Sequence, residues 1–498
     1  MPLRLPLTPE QRRAAATTAS KAFIVAAPGT GKTTVAAERF GVARYSMGSA
    51  GRVVGVSFTR AARHELSDRV HRRWGVSATA WPHQVVTFDA LHEQIVRHLL
   101  VTGRLRWPGG HVDLKVLDTW RGQANARYLV PGNQFRRVAT VTNAGEVASR
   151  SAAIVRPDYC IGAKASFERH LADGVCTHQE IRAVLSGVLG RDRLRPSVGE
   201  LLRATTGALI VDEIFDANQL DLAVLMLADE AGIPITLIGD PWQAVYEFRG
   251  AEPELVPTLV TGYGYETFPV TASFRFETHE TRTLARALRA GEPVQLAPGD
   301  AGDVDVLLAT RWEILWDADD RVLPLSFGRI DNQTDAAIVL LLDQVVSNHF
   351  GRNAIFATEA ATILGLDPEV LRNDGPTALR PVLETLGTPS SSTGTGLQQL
   401  RAALRDLGSP RQLRTLRNSA EACQAARLEA LRRRLAYARP VPGMTVHQAK
   451  GQEWPLVGVR LTAPQQERLA HGLKETEAND RMLYVACTRG RHSTRLVG

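Results

Sequence analysis

The chain has 498 residues, of which 44% are hydrophobic and 22% are charged, and its formal net charge is +7. This length is too great for one simple domain and allows two to four, and the composition is ordinary for a globular protein. Arginine and lysine exceed aspartate and glutamate by 59 to 52, which favours a polyanionic partner. The four cysteines form no C-x-x-C pair and no apolar run approaches a membrane span, so we expect neither structural zinc nor a membrane helix. So few thiols favour a cytoplasmic protein.

The first hundred residues alternate apolar strand patterns with helical patterns. Strands are predicted at 23–27, 53–58 and 85–88, and a helical segment follows each of them. This alternation predicts an α/β fold with a parallel sheet that is covered by helices on both faces.

The regular alternation stops after this point, and we predict a mostly helical insertion near 101–202. A third domain is predicted to begin near FPVTASFRF at 268–276, and TPSSSTGTG at 388–396 is predicted to be a flexible linker. Further strands are predicted at 208–213, 235–240, 303–309, 322–327, 456–461 and 482–488.

The segment AAPGTGKTT at 26–34 is typical of a phosphate-binding loop, except that Ala26 replaces the usual first glycine. Gly29 and Gly31 allow a tight backbone path, Lys32 is expected to bind the β and γ phosphates, and Thr33 offers a hydroxyl to Mg²⁺. The alternative is a chance glycine turn, but the preceding strand and following helix favour a nucleotide site. The residues predicted to contact nucleotide here are Ala27, Pro28, Gly29, Thr30, Gly31, Lys32, Thr33 and Thr34.

Two acidic residues follow the apolar run ALIV, and we predict that they complete the nucleotide site. Asp212 would hold Mg²⁺ together with Thr33, and Glu213 would polarise the attacking water. The alternative interpretation is a solvated strand end.

A second polar segment, IGDPWQAVYEFRGA at 238–251, ends another predicted strand. Gln243 is expected to sense the γ-phosphate. Tyr246 and Phe248 are expected to stack on bases, and Arg249 would connect the two functions.

These segments together resemble the superfamily 1 helicases of the UvrD/Rep/PcrA group, from LTPEQRRA at 7–14 to the last residues. The motifs occur in the order of that family, and the family's own form of the loop begins with alanine. The resemblance implies two RecA-like parallel-sheet P-loop core domains, each interrupted by a mostly helical insertion. It also implies ATP and Mg²⁺ as cofactors and 3′→5′ movement on single-stranded DNA, while RNA stays open as a substrate.

The resemblance also predicts the domain boundaries. The first core would comprise 1–100 and 203–265, with the insertion 101–202 between its two parts. The second core would comprise 266–335 and 440–498, interrupted by a short insertion at 336–439. ATP would bind between the cores, with Lys32 and Glu213 on one side and Arg275 and Arg489 on the other.

The family pattern assigns further nucleotide contacts. Gln11 would bind the adenine edge, Arg39 would pack on the base, and Phe274 would stack on adenine. Arg275 would reach the γ-phosphate, and Glu453 would accept a hydrogen bond from the ribose. Arg489 would serve as the arginine finger, and the predicted catalytic residues are therefore Lys32, Asp212, Glu213, Gln243, Arg275 and Arg489.

The nucleic-acid contacts implied by the resemblance are Phe58, Thr59, Thr87, Tyr246, Phe248, Arg249 and His447. Each aromatic residue has a place in the core as its alternative. The chain departs from the family at Asp89, which replaces a histidine, and at Phe215, Phe248 and Ser273. These departures leave two other hypotheses open: a nucleotide- and DNA-sensing ATPase subunit that regulates a nuclease or a repair or defence partner, and a non-catalytic DNA scaffold.

Overall fold

A computed structural model describes residues 7–46, 51–120, 126–128, 135–153, 159–161, 164–388, 392–410 and 418–498. The chain divides into two compact units. The first contains Met1–Trp120, Leu129–Glu277 and Lys474–Arg481, and the second contains Arg121–Tyr128, Thr278–Leu473 and Met482–Gly498. None of the described helices combines the length and apolar character that crossing a bilayer requires.

The first unit is built on a sheet of six parallel strands in the order β12-β1-β11-β10-β2-β3. Runs of valine, isoleucine and leucine form the central strands because both faces of the sheet are covered by helices. The strands are β1 Lys21–Ala26, β2 Arg52–Ser57, β3 Gln84–Thr87, β10 Thr206–Asp212, β11 Ile235–Gly239 and β12 Glu266–Val270.

Nine α-helices accompany this sheet and its insertion among the residues that the structure describes. They are α1 Pro9–Ala16, α2 Lys32–Ser46, α3 Arg60–Trp74, α4 Phe88–Val101, α5 Lys164–Ala172, α6 His178–Leu189, α7 Arg195–Thr205, α8 Gln219–Glu230 and α9 Leu255–Gly262. One buried cluster includes Ile24, Phe40, Leu66 and Ile210, so α2 and α3 pack on the same face of the sheet.

The first insertion contains short strands that the sequence analysis did not predict, in addition to α5, α6 and α7. Strands β6 and β7 form an antiparallel hairpin, and β4 pairs with β9 in parallel. Their sequences, such as FRRVATV, carry charges that hide a strand pattern. The strands are β4 Lys115–Leu117, β5 Ala126–Tyr128, β6 Phe135–Val141, β7 Val147–Ala153, β8 Tyr159–Ile161 and β9 Val175–Thr177.

The second unit has its own six-stranded parallel sheet, in the order β13-β18-β17-β14-β16-β15. Two parallel sheets with many helices confirm the predicted fold class. The strands are β13 Pro298–Gly299, β14 Val306–Ala309, β15 Val322–Pro324, β16 Val441–Thr445, β17 Trp454–Val459 and β18 Gly490–Val497.

The helices after β12 include the second insertion, which is helical in its described residues. They are α10 His279–Ala290, α11 Trp312–Trp316, α12 Gln333–Phe350, α13 Ala357–Leu364, α14 Pro368–Gly387, α15 Thr393–Asp406, α16 Asn418–Arg434, α17 Val446–Ala449, α18 Ala463–His471 and α19 Ala478–Cys487.

The boundary between the two cores differs from the predicted one. Strand β12, which was predicted to open the second core, pairs with β1 at the edge of the first sheet, from Ala22↔Glu266 to Ala26↔Val270. The first unit accordingly continues to Glu277. The sequence shows that β12 is a strand, but it does not show which sheet the strand joins.

Two local predictions were wrong. The segment 482–488 was predicted to be a strand, but Met482–Cys487 is the end of α19. A short continuous apolar run fits a buried helix as well as a strand, and Leu483–Cys487 is buried throughout. Residues 393–396 of the predicted linker begin α15, which Ser392 caps by accepting a hydrogen bond from the Thr395 backbone N–H, and 389–391 lie outside the described residues.

Candidate functional site

The glycine loop joins the end of β1 directly to the start of α2. Gly29 and Gly31 have φ angles of 73° and 78°, which are costly for residues with a side chain. The Thr30 hydroxyl donates to the Ala27 carbonyl oxygen at 2.7 Å and closes the turn. The amino end of α2 therefore opens from a tight loop, which is the arrangement that favours bound anions.

The first helix supports this loop through Gln11. Its Nε2 donates to the Thr30 carbonyl oxygen at 2.7 Å, and its Oε1 accepts from the Thr8 backbone N–H at 2.9 Å. Thr8 and Gln11 also form the capping box of α1, which the pattern T-x-x-Q signals in the sequence. One N–H and one lone pair of the Gln11 amide remain for the predicted adenine contact.

The segment after β12 packs on the same loop. Ser273 Oγ donates to the Pro28 carbonyl oxygen and the Phe274 backbone N–H donates to the Gly29 carbonyl oxygen, both at 2.8 Å. A Cβ on Gly29 would lie 2.4 Å from Arg275 Cβ. The structure thus places Arg275 in the first unit beside the loop, which corrects its predicted place in the second core. Phe274 is 49% exposed and available to stack on a base.

The predicted catalytic lysine and acidic pair come together at this loop. Lys32 Nζ lies 3.4 Å from Glu213 Oε1, and the Thr33 hydroxyl donates to the Asp212 carboxylate. Burial, followed by the nearby Glu213 charge, raises the pKa of Asp212. Lys32 Nζ and Asp212 Oδ1 are buried without a hydrogen-bond partner among the described residues.

These atoms fit a magnesium–phosphate group. Mg²⁺ is usually held by one or two carboxylates while substrate phosphates and water complete its shell. Asp212 and Thr33 supply oxygen atoms of this kind, and Lys32 supplies a buried cation for the phosphates. The described residues contain no group of three or more His, Cys, Asp or Glu side chains that could hold a metal ion by itself.

Glu213 has a left-handed backbone, with φ 63° and ψ 43°. Such a conformation costs about 1 kcal/mol or more for a residue with a side chain, and it is concentrated at functional sites. Glu213 follows directly after β10, which ends at Asp212. No pattern in the sequence predicts this conformation.

Gln243 is buried at the end of β11, and its Nε2 donates to Asp240 Oδ2 at 2.7 Å. Because β11 lies between β1 and β10, this pair shares one sheet edge with the glycine loop and the acidic pair. Asp240 was not singled out from the sequence, although it occupies the same strand-end position as Asp212.

Arg39, which is predicted to pack on the base, makes contacts within the core of the first unit. Its guanidinium is buried and donates to the carbonyl oxygen of Thr17 at 2.5 Å and to the Thr236 hydroxyl at 3.0 Å. Burial also lowers its pKa. These contacts connect α2 to the α1–β1 connection and to β11, so Arg39 stabilises the core of the first unit.

The predicted nucleic-acid residues Phe58, Thr59 and Thr87 lie where β2 and β3 end. Thr59 caps α3 by accepting from the Ala62 backbone N–H at 3.1 Å. Thr87 likewise caps α4 by accepting from the Ala90 backbone N–H at 3.2 Å. Phe58 is partly exposed, with its ring centroid 4.9 Å from that of the buried Phe88. Both threonines therefore have structural roles, whichever ligand they contact.

Two cavities, of about 350 Å³ and about 320 Å³, lie beside these residues in the first unit, and we call them together the groove. Phe58, Asp89 and Arg182 line both cavities and form the boundary between them. The first is also lined by Arg60, Thr87, Asp118, Thr119, Trp120, Thr177, His178 and Gln179, and the second by Thr59, Phe88, Asp216, Asn218, Asp221, Tyr246, Arg249 and Ala251.

Two arginine–aspartate ion pairs lie in the groove. Arg182 on α6 donates from Nε and Nη2 to the two carboxylate oxygens of Asp89 on α4, at 2.8 and 2.7 Å. Arg60 forms a short ion pair with Asp118. The carboxylate that replaces the family histidine is thus neutralised by an arginine that the sequence analysis did not identify.

The aromatic segment after β11 contributes a small cluster. The rings of Tyr246 and Phe248 lie 6.0 Å apart, and the Arg249 guanidinium lies 5.2 and 5.5 Å from their centroids. Phe248 is 46% exposed. Tyr246 and Arg249 line the second cavity, whereas Phe248 lines neither of the two.

A buried acid–base pair lies beneath the second cavity. His92 Nε2 is 3.3 Å from Asp221 Oδ1, and both side chains are almost fully buried. Burial lowers the pKa of His92 to about 4 and raises the pKa of Asp221 to about 7. The charged groups that influence both are Asp89 and Arg182, and His178 adds to the effect on His92. No sequence motif indicates this pair.

The remaining predicted residues belong to the second unit. Arg489 lies between α19 and β18, is fully buried, and donates from Nε to the Val485 carbonyl oxygen at 3.0 Å. The Trp454 backbone N–H donates to the Arg489 carbonyl oxygen at 3.2 Å. Glu453, which is exposed, directly precedes Trp454 in the chain. His447 is half-buried on α17.

A known protein family matches segments of the first unit. The model of the UvrD/REP helicase N-terminal domain matches residues 7–113 and 179–260. These two segments carry the glycine loop, Phe58, the acidic pair and Gln243, and they leave out most of the first insertion. No curated protein matches the chain.

Among solved structures, the chain is similar to one described as a complex of Arterivirus nonstructural protein 10 (helicase) with DNA. The identity is 10%, the TM-score is 0.34, and the match covers 98% of this chain. The chain spans 62% of the length of that structure. Over the two segments that it matches, the family model supports a UvrD-like superfamily 1 helicase.

Proposed function

We propose that this protein is an Mg²⁺-dependent ATPase that moves 3′→5′ along single-stranded DNA and acts as a translocase or helicase. One observation carries the proposal. Lys32, Thr33, Asp212 and Glu213 converge on the glycine loop, and Lys32 Nζ and Asp212 Oδ1 are buried there without a hydrogen bond among the described residues.

The residues divide the chemistry among them. The loop backbone and Lys32 hold phosphate oxygens, and Arg275, packed on Gly29, is near enough to the loop to add a second cation. Asp212 and Thr33 would hold Mg²⁺, which supplies positive charge against the phosphates when it is bound. Glu213 orients and polarises the attacking water. Arg489 is proposed as the arginine finger from its motif.

The groove supports the nucleic-acid part of the proposal. Phe58 and Tyr246 offer aromatic faces on which bases of any sequence stack, and Arg249 adds a cation beside Tyr246. The amino ends of α3 and α4, capped by Thr59 and Thr87, favour backbone phosphates at the same sheet edge. Contacts of these kinds bind single strands without reading sequence.

ATP turnover measured in parallel with single-stranded DNA, duplex DNA and RNA tests the proposal, at several stated salt concentrations because backbone binding depends on salt. We expect the largest stimulation from single-stranded DNA. Lys32→Ala and Glu213→Gln are each expected to lower turnover by roughly 10²–10⁴-fold. Unchanged turnover in both variants would overturn the proposal.

Lys21→Ala is the matched control for the lysine substitution. Lys21 begins the strand that leads to the loop, and its Nζ pairs with Asp229 at 2.8 Å instead of facing the loop. We expect this variant to retain turnover, so that a loss in Lys32→Ala is assigned to the site rather than to a lost lysine.

A second candidate is an ATPase subunit that senses nucleotide and DNA and regulates a nuclease or another partner. The bidentate pair of Asp89 and Arg182 favours it, because a groove with internally paired charges holds a strand less strongly than an open basic groove. Strand displacement by the isolated chain distinguishes the candidates: robust unwinding supports the helicase, and ATP turnover without unwinding supports the subunit.

A further inference from the structure

We propose that Arg182 binds a backbone phosphate of single-stranded DNA at the boundary of the two cavities, and that Asp89 positions its guanidinium for this contact. The proposal rests on the nucleic-acid binding proposed above. It adds Arg182, from the first insertion, to the residues that bind DNA. It also assigns a positioning role to the carboxylate of Asp89.

The location of the pair is the first argument. Arg182 and Asp89, together with Phe58, line both cavities, so a strand that runs from one cavity to the other passes this pair. Their side chains are 45% and 29% exposed, which leaves them accessible to a ligand. Arg182 is also the one cationic residue that the two cavities have in common.

The donor count is the second argument. A guanidinium has five N–H groups, and the bidentate contact with Asp89 uses one on Nε and one on Nη2. Three N–H groups therefore remain for a phosphate. Because two donors are fixed against a carboxylate, the guanidinium keeps one orientation and loses less entropy when a phosphate arrives.

The surrounding charge is the third argument. Asp118 lines the first cavity, and Asp216 lines the second. An unpaired carboxylate at Asp89 would add repulsion where a strand must pass, and Arg182 cancels that repulsion. Phe58 beside the pair offers a ring for a base, so a phosphate on Arg182 and a base on Phe58 are compatible with one nucleotide.

The test measures binding of a fluorescently labelled dT oligonucleotide by anisotropy over a series of salt concentrations. We expect Arg182→Ala to weaken binding roughly tenfold and to reduce the slope of log K against log salt by about one, as loss of one phosphate contact does. A slope and affinity equal to those of the wild type would overturn the proposal.

Asp89→Ala distinguishes positioning from simple repulsion. If Asp89 positions Arg182, the substitution weakens binding in the wild-type background. In the Arg182→Ala background the same substitution strengthens binding, because it removes a bare carboxylate. Stronger binding in both backgrounds would show that Asp89 only repels the strand, and the positioning role would be wrong.

Arg195→Ala is the matched control. Arg195 on α7 forms an ion pair of the same type with Glu230 at 3.1 Å, with 45% of its side chain exposed, and it lines neither cavity. We expect Arg195→Ala to bind the oligonucleotide with the affinity and the salt slope of the wild type.

If the wild-type protein itself fails to bind the oligonucleotide, the proposed function fails. If the wild type binds and Arg182→Ala equals it, this inference alone fails.

Discussion

The glycine loop and the groove lie on the same edge of the first sheet, but their charged groups differ in whether they have hydrogen-bond partners. At the loop, Lys32 Nζ and Asp212 Oδ1 are buried without hydrogen bonds from the described residues. In the groove, Asp89 and Arg182 satisfy each other with two hydrogen bonds. The loop is thus built for a ligand that supplies the missing partners, whereas a ligand in the groove must share partners that are already engaged.

This difference predicts that substitutions at the loop and in the groove have effects of different size and different salt dependence. Buried polar atoms without partners are costly to the fold, so the loop should respond sharply to small changes in geometry. Exposed, paired charges contribute little to stability and respond to salt. The following substitutions test that contrast, beginning with the largest expected effect.

Gly29→Ala should lower ATP turnover by about 100-fold or more. The new Cβ would meet Arg275 Cβ at 2.4 Å and Ser273 Oγ at 2.5 Å, and the φ of 73° is unfavourable for alanine. The loop and the 273–275 segment must therefore separate. Steady-state phosphate release measures the effect.

Gly232→Ala separates backbone strain from the clash. Gly232 has a similar φ of 77°, but nothing lies within 4 Å of its added Cβ. We expect a modest loss of stability by thermal unfolding and normal turnover. If both alanine variants lose turnover equally, close packing at the loop is not the cause and the contrast with the groove weakens.

Gln11→Ala should raise the KM for ATP about tenfold, with a smaller effect on kcat. The substitution removes the hydrogen bond to the Thr30 carbonyl oxygen and the predicted adenine contact. Gln94→Ala is the control, because Gln94 also bonds through its amide, to Gln84, but lies away from the loop. A normal KM in Gln11→Ala would remove Gln11 from the nucleotide site.

The smallest effect is expected in the wild-type protein beneath the groove, where His92 and Asp221 hold one proton between them near pH 5. With a pKa of about 7, Asp221 keeps its proton in the folded protein, and His92, at about 4, stays neutral. The unfolded chain also holds one proton, on histidine instead of aspartate. The wild-type pair therefore adds almost no pH dependence to the free energy of unfolding between pH 4 and 6.5.

Single substitutions should expose two opposite slopes of up to about 1.4 kcal/mol per pH unit. In His92→Gln, the raised pKa of Asp221 gives stability that is lost as pH rises from 4 to 7. In Asp221→Asn, the lowered pKa of His92 gives stability that is lost as pH falls from 6.5 to 4. Urea unfolding from pH 4 to 7 measures both, and slopes of the same sign would contradict the shared proton.

Local motifs could be predicted from the sequence because their residues are close together in the chain. The loop from Ala26 to Thr34 and the pair Asp212 and Glu213 follow apolar strands, and the structure brings them together. The T-x-x-Q pattern of α1 is typical of a capping box, although the sequence analysis did not identify it, and the contact of Gln11 with Thr30 depends on the fold.

The rest depended on contacts between distant segments. Arg182 lies 93 residues from Asp89, and no spacing rule connects them. The position of Arg275 followed from β12 joining the first sheet, and strand order is not encoded in any local pattern. Arg39 matched a family position, but its contacts with Thr17 and Thr236 depend on how α2 packs.

The left-handed backbone at Glu213 sets a limit on engineering this protein for heat resistance. Glycine or asparagine would relax the dihedral angles there, so a selection for thermal tolerance alone would favour them. Either replacement discards the carboxylate proposed to activate water. Variants selected in that way would be more heat-stable but would lose ATP hydrolysis. Any such screen therefore has to measure hydrolysis as well as melting temperature.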